Sequence, residues 1–387
     1  ALLDLAEFGR ALGEMQTPTA QRWRKFLGVH FRKLQKEGGT AGVWLDAVAR
    51  FQVFQLRHAV GLVEDGVTKR DLQLGSPLGK GSFGVVLLAK HVLDDAWFAV
   101  KTIKKPRVED GEQGGERAAE MERRMELERA VLHKLSHESK VSGKRWSGLF
   151  VRLVCSWQDA DSLHLVMPAA LGGELFEILR DYGRMAEPSL RFYVACLVQA
   201  LQQLHSLGIV YRDLKSSNIL LTDQGWPILA DFGFATFATA DTPLYKLCGT
   251  PEFVAPEVAR QQGYGTAVDW WSLGVVMCQC LTMRTPFEDP AGDVHQTLHN
   301  ISSGHCTLPE KEHYSRIASR ECTSMIEALL QADPAQRLGS HLLGHEVRVH
   351  PFFWGLAWDA LERRELKPPH LVQCAARAQK HKAAWEA

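Results

Sequence analysis

Two short polar strings near the middle of the chain combine side chains that could move a proton and bind a metal ion. The first string contains Asp213, Lys215 and Asn218, and the second contains Asp231. A carboxylate such as Asp213 can accept the proton of a hydroxyl group and orient its oxygen for attack. Asn218 and Asp231 offer carbonyl and carboxylate oxygens, the hard ligands that Mg²⁺ prefers. Lys215 adds a positive charge, so these side chains together could orient a hydroxyl, bind a divalent metal ion and stabilise negative charge.

A glycine-rich string precedes them, between two runs of residues that predict strands. It consists of Gly79, Lys80, Gly81, Ser82, Phe83 and Gly84. Glycines let the backbone approach phosphate oxygens and present N–H groups to them. A hairpin turn uses the same spacing, and so does the dinucleotide-binding fold of oxidoreductases, which needs a helix directly after the string. Residues 85–88 (Val-Val-Leu-Leu) predict a strand, which disfavours the oxidoreductase.

Lys101 lies on the next predicted strand, between apolar residues that direct its ammonium group inward. The phosphates of a bound nucleotide are the natural anionic partner for such a cation. A helix is predicted over residues 121–135. Its Glu128 can hold the Lys101 ammonium in place, and Glu122 and Glu126 are competing candidates for that contact.

The order of these features resembles that of the eukaryotic protein kinases over about residues 70–370. Within that family the chain is similar to the AGC group of serine/threonine kinases, which contains the cyclic-nucleotide-dependent kinases. The strings that carry this resemblance are Tyr211-Arg212-Asp213, Asp231-Phe232-Gly233-Phe234-Ala235, Leu247-Cys248-Gly249-Thr250-Pro251-Glu252-Phe253 and Val268-Asp269-Trp270-Trp271. Those most similar to the cGMP-dependent branch are Leu171-Gly172-Gly173-Glu174-Leu175-Phe176, Ile178-Leu179-Arg180-Asp181 and Arg191-Phe192-Tyr193.

The resemblance implies an enzyme that uses ATP and Mg²⁺ to phosphorylate serine or threonine hydroxyls of protein substrates. Its catalytic residues would be Asp213, Lys215, Lys101 and Glu128. Its nucleotide-binding residues would be Gly79, Gly81, Ser82, Phe83, Gly84, Val86, Ala99, Lys101, Met167, Glu174, Asn218 and Asp231. Asn218 and Asp231 would also hold the metal ion, and Met167 would be the gatekeeper of the adenine slot.

The resemblance also implies contacts that hold the active site together. Thr250 would contact Lys215 and the catalytic Asp213 beside the substrate. Asp269 would brace the catalytic loop, residues 211–218, from a central helix. Glu257, at the end of the activation segment, would form a buried ion pair with Arg337.

Substrate preference is implied by three positions. Glu174 matches the acidic residue with which relatives bind an arginine three residues before the acceptor, and a carboxylate suits a bidentate guanidinium. Ser217 and Gln279 stand where cAMP-dependent relatives place acidic contacts for an arginine two residues before the acceptor. Because neutral side chains forfeit that attraction, we expect a demand for the first arginine and little demand for the second.

Activation is expected to depart from the family pattern, because Lys246 stands where relatives carry an activating phosphate. In relatives, that phosphate neutralises the arginine before the catalytic aspartate, which is Arg212 in this chain. Two nearby cations should repel and favour an open activation segment, so an anion is expected to compensate. The candidates are Asp241 and a phosphorylated Thr242, and Arg124 could join that contact.

The predicted fold class is α+β, with a small β-rich lobe and a larger helical lobe. Residues 1–70 predict a helical segment of unknown role, residues 71–353 the catalytic domain, and residues 354–387 a truncated C-terminal tail of AGC type. Within the catalytic domain, residues 71–167 form the β-rich lobe and residues 172–353 the helical lobe.

The β-rich lobe is expected to contain short strands at residues 72–74, 85–88 and 98–103, with two more within residues 149–167. The charged stretch at residues 109–129 contains three glycines near its start. It is therefore expected to begin as a surface loop that leads into a helix.

Composition restricts the partners and the location. Lys plus Arg and Asp plus Glu each number 45 among 387 residues, so the balanced charge gives no general attraction to nucleic acid or anionic membranes. The eight cysteines form no Cys-x-x-Cys pair and no long apolar run predicts a membrane span, which together favour a cytoplasmic location. Residues 1–70 contain no cyclic-nucleotide-binding cassette, so the regulatory partner stays unknown.

A pseudokinase scaffold, which binds partners without catalysis, is the alternative to an active enzyme. Such scaffolds usually lose the strand lysine, the catalytic aspartate or the metal-binding aspartate. Lys101, Asp213 and Asp231 are all present, which favours activity.

Overall fold

A computed structural model describes residues 67–81, 84–92, 96–105, 111–141, 148–238, 243–309 and 313–386 of the chain. Most of the predicted N-terminal helical segment, up to residue 66, lies outside the described residues. So do Ser82 and Phe83 of the glycine-rich string and the candidate compensating residues Asp241 and Thr242.

The chain divides into two compact units. The first unit holds the described part of Ala1–Pro106 together with Leu153–Ala169, and the second holds the described part of Arg107–Arg152 together with Ala170–Ala387. In the described residues, the strands are β1 (Leu72–Gly81), β2 (Gly84–His91), β3 (Trp97–Lys104), β4 (Cys155–Gln158), β5 (Ser162–Pro168), β6 (Gly173–Glu174), β7 (Ile209–Val210), β8 (Ile219–Leu221), β9 (Pro227–Leu229) and β10 (Thr236–Phe237). The helices are α1 (Gly111–Val141), α2 (Leu175–Tyr182), α3 (Glu187–Ser206), α4 (Pro256–Ala259), α5 (Ala267–Thr282), α6 (Val294–Ser303), α7 (Tyr314–Ile317), α8 (Arg320–Leu329), α9 (His345–Arg348), α10 (Trp358–Glu362) and α11 (Leu371–Glu386).

The first unit is built on an antiparallel sheet in the order β1-β2-β3-β5-β4, and the strands predicted from the sequence are confirmed. One face of the sheet buries an apolar cluster that includes Leu72, Phe98 and Val100. β-Branched and aromatic residues of this kind suit a half-buried strand. Strand β2 begins at Gly84, the last residue of the glycine-rich string, and continues where a dinucleotide-binding fold needs a helix. The oxidoreductase is therefore excluded.

The register of this sheet places four predicted nucleotide-binding residues on its other face. Val86 pairs with Lys101, and Ala99 pairs with Met167. Directly paired residues of antiparallel strands share a face, and so do residues two apart on one strand. The strand lysine and the three predicted adenine-slot residues therefore form one patch, opposite the apolar cluster.

The second unit is mostly helical and has α5 as its central helix. Nearly every side chain of α5 is buried, including Trp270 and Trp271, and the helix packs against α3 and α8. Two short sheets, β6-β8-β9 and β7-β10, are formed by the segments that connect helices of this unit. A β-rich unit and a mostly helical unit confirm the predicted α+β class. Among the described residues, no helix combines the length and apolar character that crossing a bilayer requires.

Helix α1 begins earlier than predicted. The sequence indicated a surface loop before a helix at residue 121, but the helix already starts at Gly111, so the loop prediction is wrong for residues 111–120. Each glycine costs about 1 kcal/mol relative to alanine in a helix. The residues that follow are rich in Glu, Ala, Arg and Met, which are strong helix formers, and helix extension from an existing helix is cooperative.

The predicted buried ion pair between Glu257 and Arg337 is confirmed. Nη1 and Nη2 of Arg337 lie 2.7 and 2.8 Å from the two carboxylate oxygens of Glu257, a bidentate arrangement. Arg337 also donates to the carbonyl oxygens of Gln331 and Ala267, and its guanidinium lies 5.2 Å from the ring centroid of Trp271. The pair therefore ties α4 to the start of α5 and to the segment after α8.

Removing one partner should expose how much the fold depends on this pair. Arg337→Ala leaves the Glu257 carboxylate buried without its cation, so the free energy of unfolding should fall by about 3–5 kcal/mol. Arg363→Ala is the matched control, because both side chains of the Arg363–Glu365 pair are 55% exposed and such pairs contribute little to stability. Urea titration of both variants checks the difference, and equal losses would contradict it.

Candidate active site

Two predicted metal ligands lie at one end of the β8–β9 hairpin. Ile219 pairs with Leu229, and the backbone N–H of Ala230 donates to the carbonyl oxygen of Asn218 at 2.9 Å. Asn218 directly precedes β8, and Asp231 follows the end of β9 by two residues. The antiparallel pairing therefore holds Asn218 and Asp231 beside each other.

The carboxylate of Asp213 lies at the centre of a polar network, although the residue is only 4% exposed. Its Oδ1 accepts hydrogen bonds from the backbone N–H and the hydroxyl of Thr250 at 3.1 and 2.8 Å. Its Oδ2 accepts a hydrogen bond from Nδ2 of Asn218 at 2.7 Å and lies 3.2 Å from Nζ of Lys215. The same Nζ donates to the Thr250 hydroxyl oxygen at 2.7 Å. The predicted contact between Thr250 and Asp213 is thus confirmed.

The network offsets the cost of burying a carboxylate. Burial raises the pKa of Asp213 above its ordinary value, while the positive charge of Lys215 and hydrogen bonds from Thr250 and Asn218 oppose the rise. Lost hydration disfavours the charged form, and hydrogen bonds to that form favour it. The outcome is a carboxylate that is more basic than an ordinary aspartate, which suits a group that accepts a proton.

Asp269 on α5 shapes the backbone that leads to Asp213. Its two carboxylate oxygens accept hydrogen bonds from the backbone N–H groups of Tyr211 and Arg212 at 2.9 and 2.8 Å. Nε2 of His205 lies 2.8 Å from the same carboxylate, which is completely buried. Arg212 itself has a left-handed φ of 67°. The predicted brace between the central helix and the catalytic loop is confirmed.

Gly249 lets the activation segment approach the catalytic loop. Its φ of 98° lies in the left-handed region, which glycine enters at little cost. A Cβ at this position would lie 2.6 Å from the carbonyl oxygen of Arg212. The close approach places the next residue, Thr250, against Asp213.

Tyr211 connects the catalytic loop to the loop that carries Asp231. Its hydroxyl donates to the carbonyl oxygen of Ala230, and its ring meets the buried ring of Phe232 edge-on at 5.3 Å. Phe232 also packs against Phe150 at 6.1 Å. Asp231, between Ala230 and Phe232, has a positive φ of 54°. Its unusual backbone is therefore held from both sides.

Comparison with known proteins places this geometry in a family. The family model of the protein kinase domain matches residues 72–353, a range that includes every residue of the Asp213 network. The chain belongs to the protein kinase family. Protein kinase 2 of Dictyostelium discoideum is 35% identical over 304 residues, which are 79% of this chain and 58% of that protein. cGMP-dependent protein kinase 2 of Homo sapiens is 33% identical over 326 residues, which are 84% of this chain and 40% of that protein.

Ribosomal protein S6 kinase alpha-2 of Homo sapiens is also similar to this kinase. It is 32% identical over 354 residues, which are 89% of this chain and 44% of that protein. These relatives confirm the predicted assignment of the kinase domain to the AGC group of serine/threonine kinases. The chain spans between 40% and 58% of the length of the three relatives. A protein kinase domain uses ATP with a divalent metal ion.

The residues of this kinase fit such a metal ion. Nδ2 of Asn218 donates to the carbonyl and the carboxylate of Asp213 at 2.8 and 2.7 Å, which turns its Oδ1 the other way. Oδ1 of Asp231 accepts a long hydrogen bond, 3.4 Å, from the backbone N–H of Gly233. A neutral carbonyl oxygen and a carboxylate on adjacent ends of a hairpin are suitable ligands for a hard divalent cation.

The glycine-rich string of the kinase contains glycines of two kinds. A Cβ at Gly84 would overlap the carbonyl oxygen of Thr102 on β3, whereas a Cβ at Gly79 would meet nothing within 4 Å. Gly84 therefore admits the neighbouring strand, and Gly79 leaves its backbone accessible.

Two of the three glutamates that could pair with Lys101 differ in burial. Glu128 is 4% exposed, whereas Glu126 is exposed to solvent. Lys101 and Glu128 belong to different units, and their pairing stays a prediction.

Arg377 on α11 is a charged residue of the site region that sequence reasoning missed. Its guanidinium lies 2.7 Å from Oε2 of Glu177 on α2 and also pairs with Asp181. Burial and the negative charge of Glu177 raise the pKa of Glu174, which precedes the same helix. Among the described residues, Glu174 itself has no ion pair. Arg377 and Arg180 therefore both pair with Glu177 and Asp181, which leaves Glu174 as the acidic group available to a ligand.

The pH dependence of catalysis should follow the hydroxyl of Thr250. Thr250→Val removes a hydrogen bond to the charged form of Asp213, which raises its pKa further. Activity is lost as the pH falls through that pKa, so the acidic limb of the profile of kcat/KM against pH should move to higher pH. Thr250→Ser keeps the hydroxyl and should leave the limb in place. If the acidic limb of the pH profile stays in place in Thr250→Val, the hydroxyl of Thr250 does not affect the pKa of Asp213.

Proposed function

We propose that this kinase transfers the γ-phosphate of ATP to serine and threonine hydroxyls of protein substrates. The buried carboxylate of Asp213, held by Thr250, Asn218 and Lys215, is the observation that carries the proposal. Burying a charged group costs free energy. The network offsets this cost and keeps the carboxylate in one orientation, as a proton acceptor for a substrate hydroxyl requires.

Four residues of the site have a chemical role in this proposal. Asp213 orients the substrate hydroxyl and accepts its proton. Lys215 stabilises negative charge on the transferred group. Asn218 and Asp231 would hold Mg²⁺, which supplies charge neutralisation on the phosphate oxygens when it is bound.

The nucleotide is proposed to bind at the sheet of the first unit. The backbone at Gly79 is open to a ligand, which supports phosphate binding by the glycine-rich string, here Gly79, Gly81 and Gly84 together with Ser82 and Phe83 outside the described residues. The shared face of Val86, Ala99 and Met167 supports an apolar slot for adenine. Lys101, paired with Glu128, would hold the phosphates. A cytoplasmic location stays a prediction from the sequence.

Substrate choice is proposed to rest on Glu174. Its raised pKa reflects burial next to another carboxylate, and a substrate guanidinium would favour its charged form. The second predicted site differs, because the hydroxyl of Ser216 donates to Oε1 of Gln279 at 2.6 Å. That bond engages one of the two lone pairs of the Gln279 carbonyl oxygen, and neither side chain carries a charge. Because a neutral site forfeits the charge attraction to a guanidinium, this site should not select arginine.

Catalysis should depend on both aspartates of the proposed site. Asp213→Ala removes the hydroxyl-orienting carboxylate, and Asp231→Ala removes a metal ligand. Each should lower kcat by about 10²-fold or more. The exposed Asp359 on α10 provides the control, since Asp359→Ala should leave kcat within about twofold. Steady-state phosphorylation of a peptide library by purified enzyme measures all three, and near-normal turnover of either aspartate variant would overturn the assignment.

Substrate peptides should distinguish the two arginine sites. Replacing the arginine three residues before the acceptor by alanine should raise KM about tenfold or more, because a hydrogen bond between charged groups contributes about 1.5–3 kcal/mol. The same replacement two residues before the acceptor should change KM less than about threefold. Glu174→Gln should abolish the first effect, and Gln279→Glu should create a preference at the second site. Equal dependence of the wild type on both arginines would refute this reading.

A further inference from the structure

Lys246, in the activation segment, makes a contact that no motif predicts. Its Nζ pairs with Oε1 of Glu120 on α1. Oε1 of Glu120 also accepts a hydrogen bond from Nε of Arg124 at 3.0 Å. The two cations together lower the pKa of Glu120, with the contact to Lys246 as the largest cause. One carboxylate thus joins the activation segment to a cation on its own helix.

The same residues connect to the two loops of the proposed active site. The guanidinium of Arg124 lies 5.0 Å from the ring centroid of Phe234, a distance typical of cation–π contacts. The carbonyl oxygen of Phe234 accepts a hydrogen bond from Nε of Arg212 at 2.7 Å. Phe234 lies three residues after Asp231, and Arg212 directly precedes Asp213.

Tyr264 closes this chain of contacts. Its hydroxyl accepts a hydrogen bond from Nη1 of Arg212 at 3.1 Å and donates to the carbonyl oxygen of Lys246 at 2.6 Å. Six residues therefore form a closed ring, in which each contacts the next and the last contacts the first. In order, the ring residues are Glu120, Lys246, Tyr264, Arg212, Phe234 and Arg124.

The ring gives both Lys246 and Arg212 partners, so the repulsion between them that the sequence predicted is offset. Lys246 and Arg212 were expected to repel and to open the activation segment. Lys246 instead has Glu120 as its counter-ion, and the Arg212 side chain donates to two uncharged oxygens, of Phe234 and Tyr264. Compensation by Asp241 or a phosphorylated Thr242 stays a prediction, because both lie outside the described residues.

We propose that Glu120 and Lys246 are positioning residues for phosphoryl transfer. Their ion pair orders the loops that carry Asp213 and Asp231, and it takes the place of the activating phosphate that relatives carry at the position of Lys246. The inference rests on the proposed function, because it concerns the geometry of Asp213 and Asp231. The ion pair acts through the ring: it fixes Lys246, whose carbonyl holds Tyr264, which in turn holds Arg212.

The exposure of the pair separates this role from a merely structural one. The side chains of Lys246 and Glu120 are 46% and 38% exposed, and exposed pairs contribute little to stability. A change in the pair should therefore lower kcat while the melting temperature stays nearly constant. It should also leave KM for the peptide unchanged, because neither residue belongs to the proposed substrate site.

Charge reversal and its rescue test the proposal. Glu120→Lys and Lys246→Glu each place like charges together, and each should lower kcat about three- to tenfold at low ionic strength. The double variant Glu120→Lys/Lys246→Glu restores opposite charges and should recover at least half of the wild-type kcat. Glu327→Lys makes the same charge change at an exposed position of helix α8, away from the ring, and should leave kcat unchanged. Phosphatase treatment of the wild type, followed by intact-mass measurement, should also leave kcat unchanged.

Each outcome has a separate meaning. If the wild type transfers phosphate and both single variants match it, or if the double variant stays as impaired as the single ones, the positioning role is overturned. If phosphatase treatment removes a phosphate and abolishes activity, the ion pair does not replace a phosphate and the proposal fails. If the wild type transfers no phosphate to any peptide, the proposed function fails instead, independently of the ring.

Discussion

The backbone between Tyr211 and Asp213 lies outside any helix or strand, so its N–H groups need partners from elsewhere. One buried carboxylate, that of Asp269, accepts hydrogen bonds from two successive N–H groups of this loop, at Tyr211 and Arg212. Nothing in the loop itself dictates a left-handed residue at Arg212, which costs free energy for a side chain with a Cβ. The Asp269 contacts hold that conformation, and the directions of the Arg212 and Asp213 side chains follow from it.

Two kinds of force then act on the two neighbouring side chains. Asp213 is held by short hydrogen bonds in a buried site, where each bond is strong because water is excluded. Arg212 is held in a ring that closes through a pair of half-exposed charges, Glu120 and Lys246. Buried bonds of the first kind vary little with salt concentration, whereas exposed charges are screened by salt. The chemical group is therefore fixed firmly, and the segment around it is held by a weaker and more adjustable contact.

The sequence predicted best where one residue type has one chemical use. The structure brings Asp213, Asn218 and Asp231 together, as their order in the sequence indicated, and their catalytic and metal-binding roles stay predictions. The contacts of Thr250, Asp269 and the Glu257–Arg337 pair followed from the family resemblance. The strands also followed, because short apolar runs separated by Gly and Asp turns predict strands, whereas the face that Val86 and Lys101 share is known from the observed pairing.

Contacts between distant surface charges could not be predicted in this way. Glu120 lies 126 positions from Lys246, and Arg377 lies 200 positions from Glu177. Charged residues on exposed helix faces are common, and no local pattern marks which ones will meet. Helix α1 was misjudged for a related reason: three glycines were read as a loop, although the helix formers after them decide the conformation.

Helix α11 has a consequence for how the kinase domain is delimited. Residues that match the protein kinase family end at residue 353, whereas Arg377, which pairs with Glu177 and Asp181, lies in α11. A protein trimmed to the family boundary would keep the pairs that Arg180 makes with the same two carboxylates but would lose this second cation. The surface around α2 would then be more negative and should attract basic peptides more strongly. Peptide selectivity measured on the trimmed domain would therefore differ from that of the longer chain.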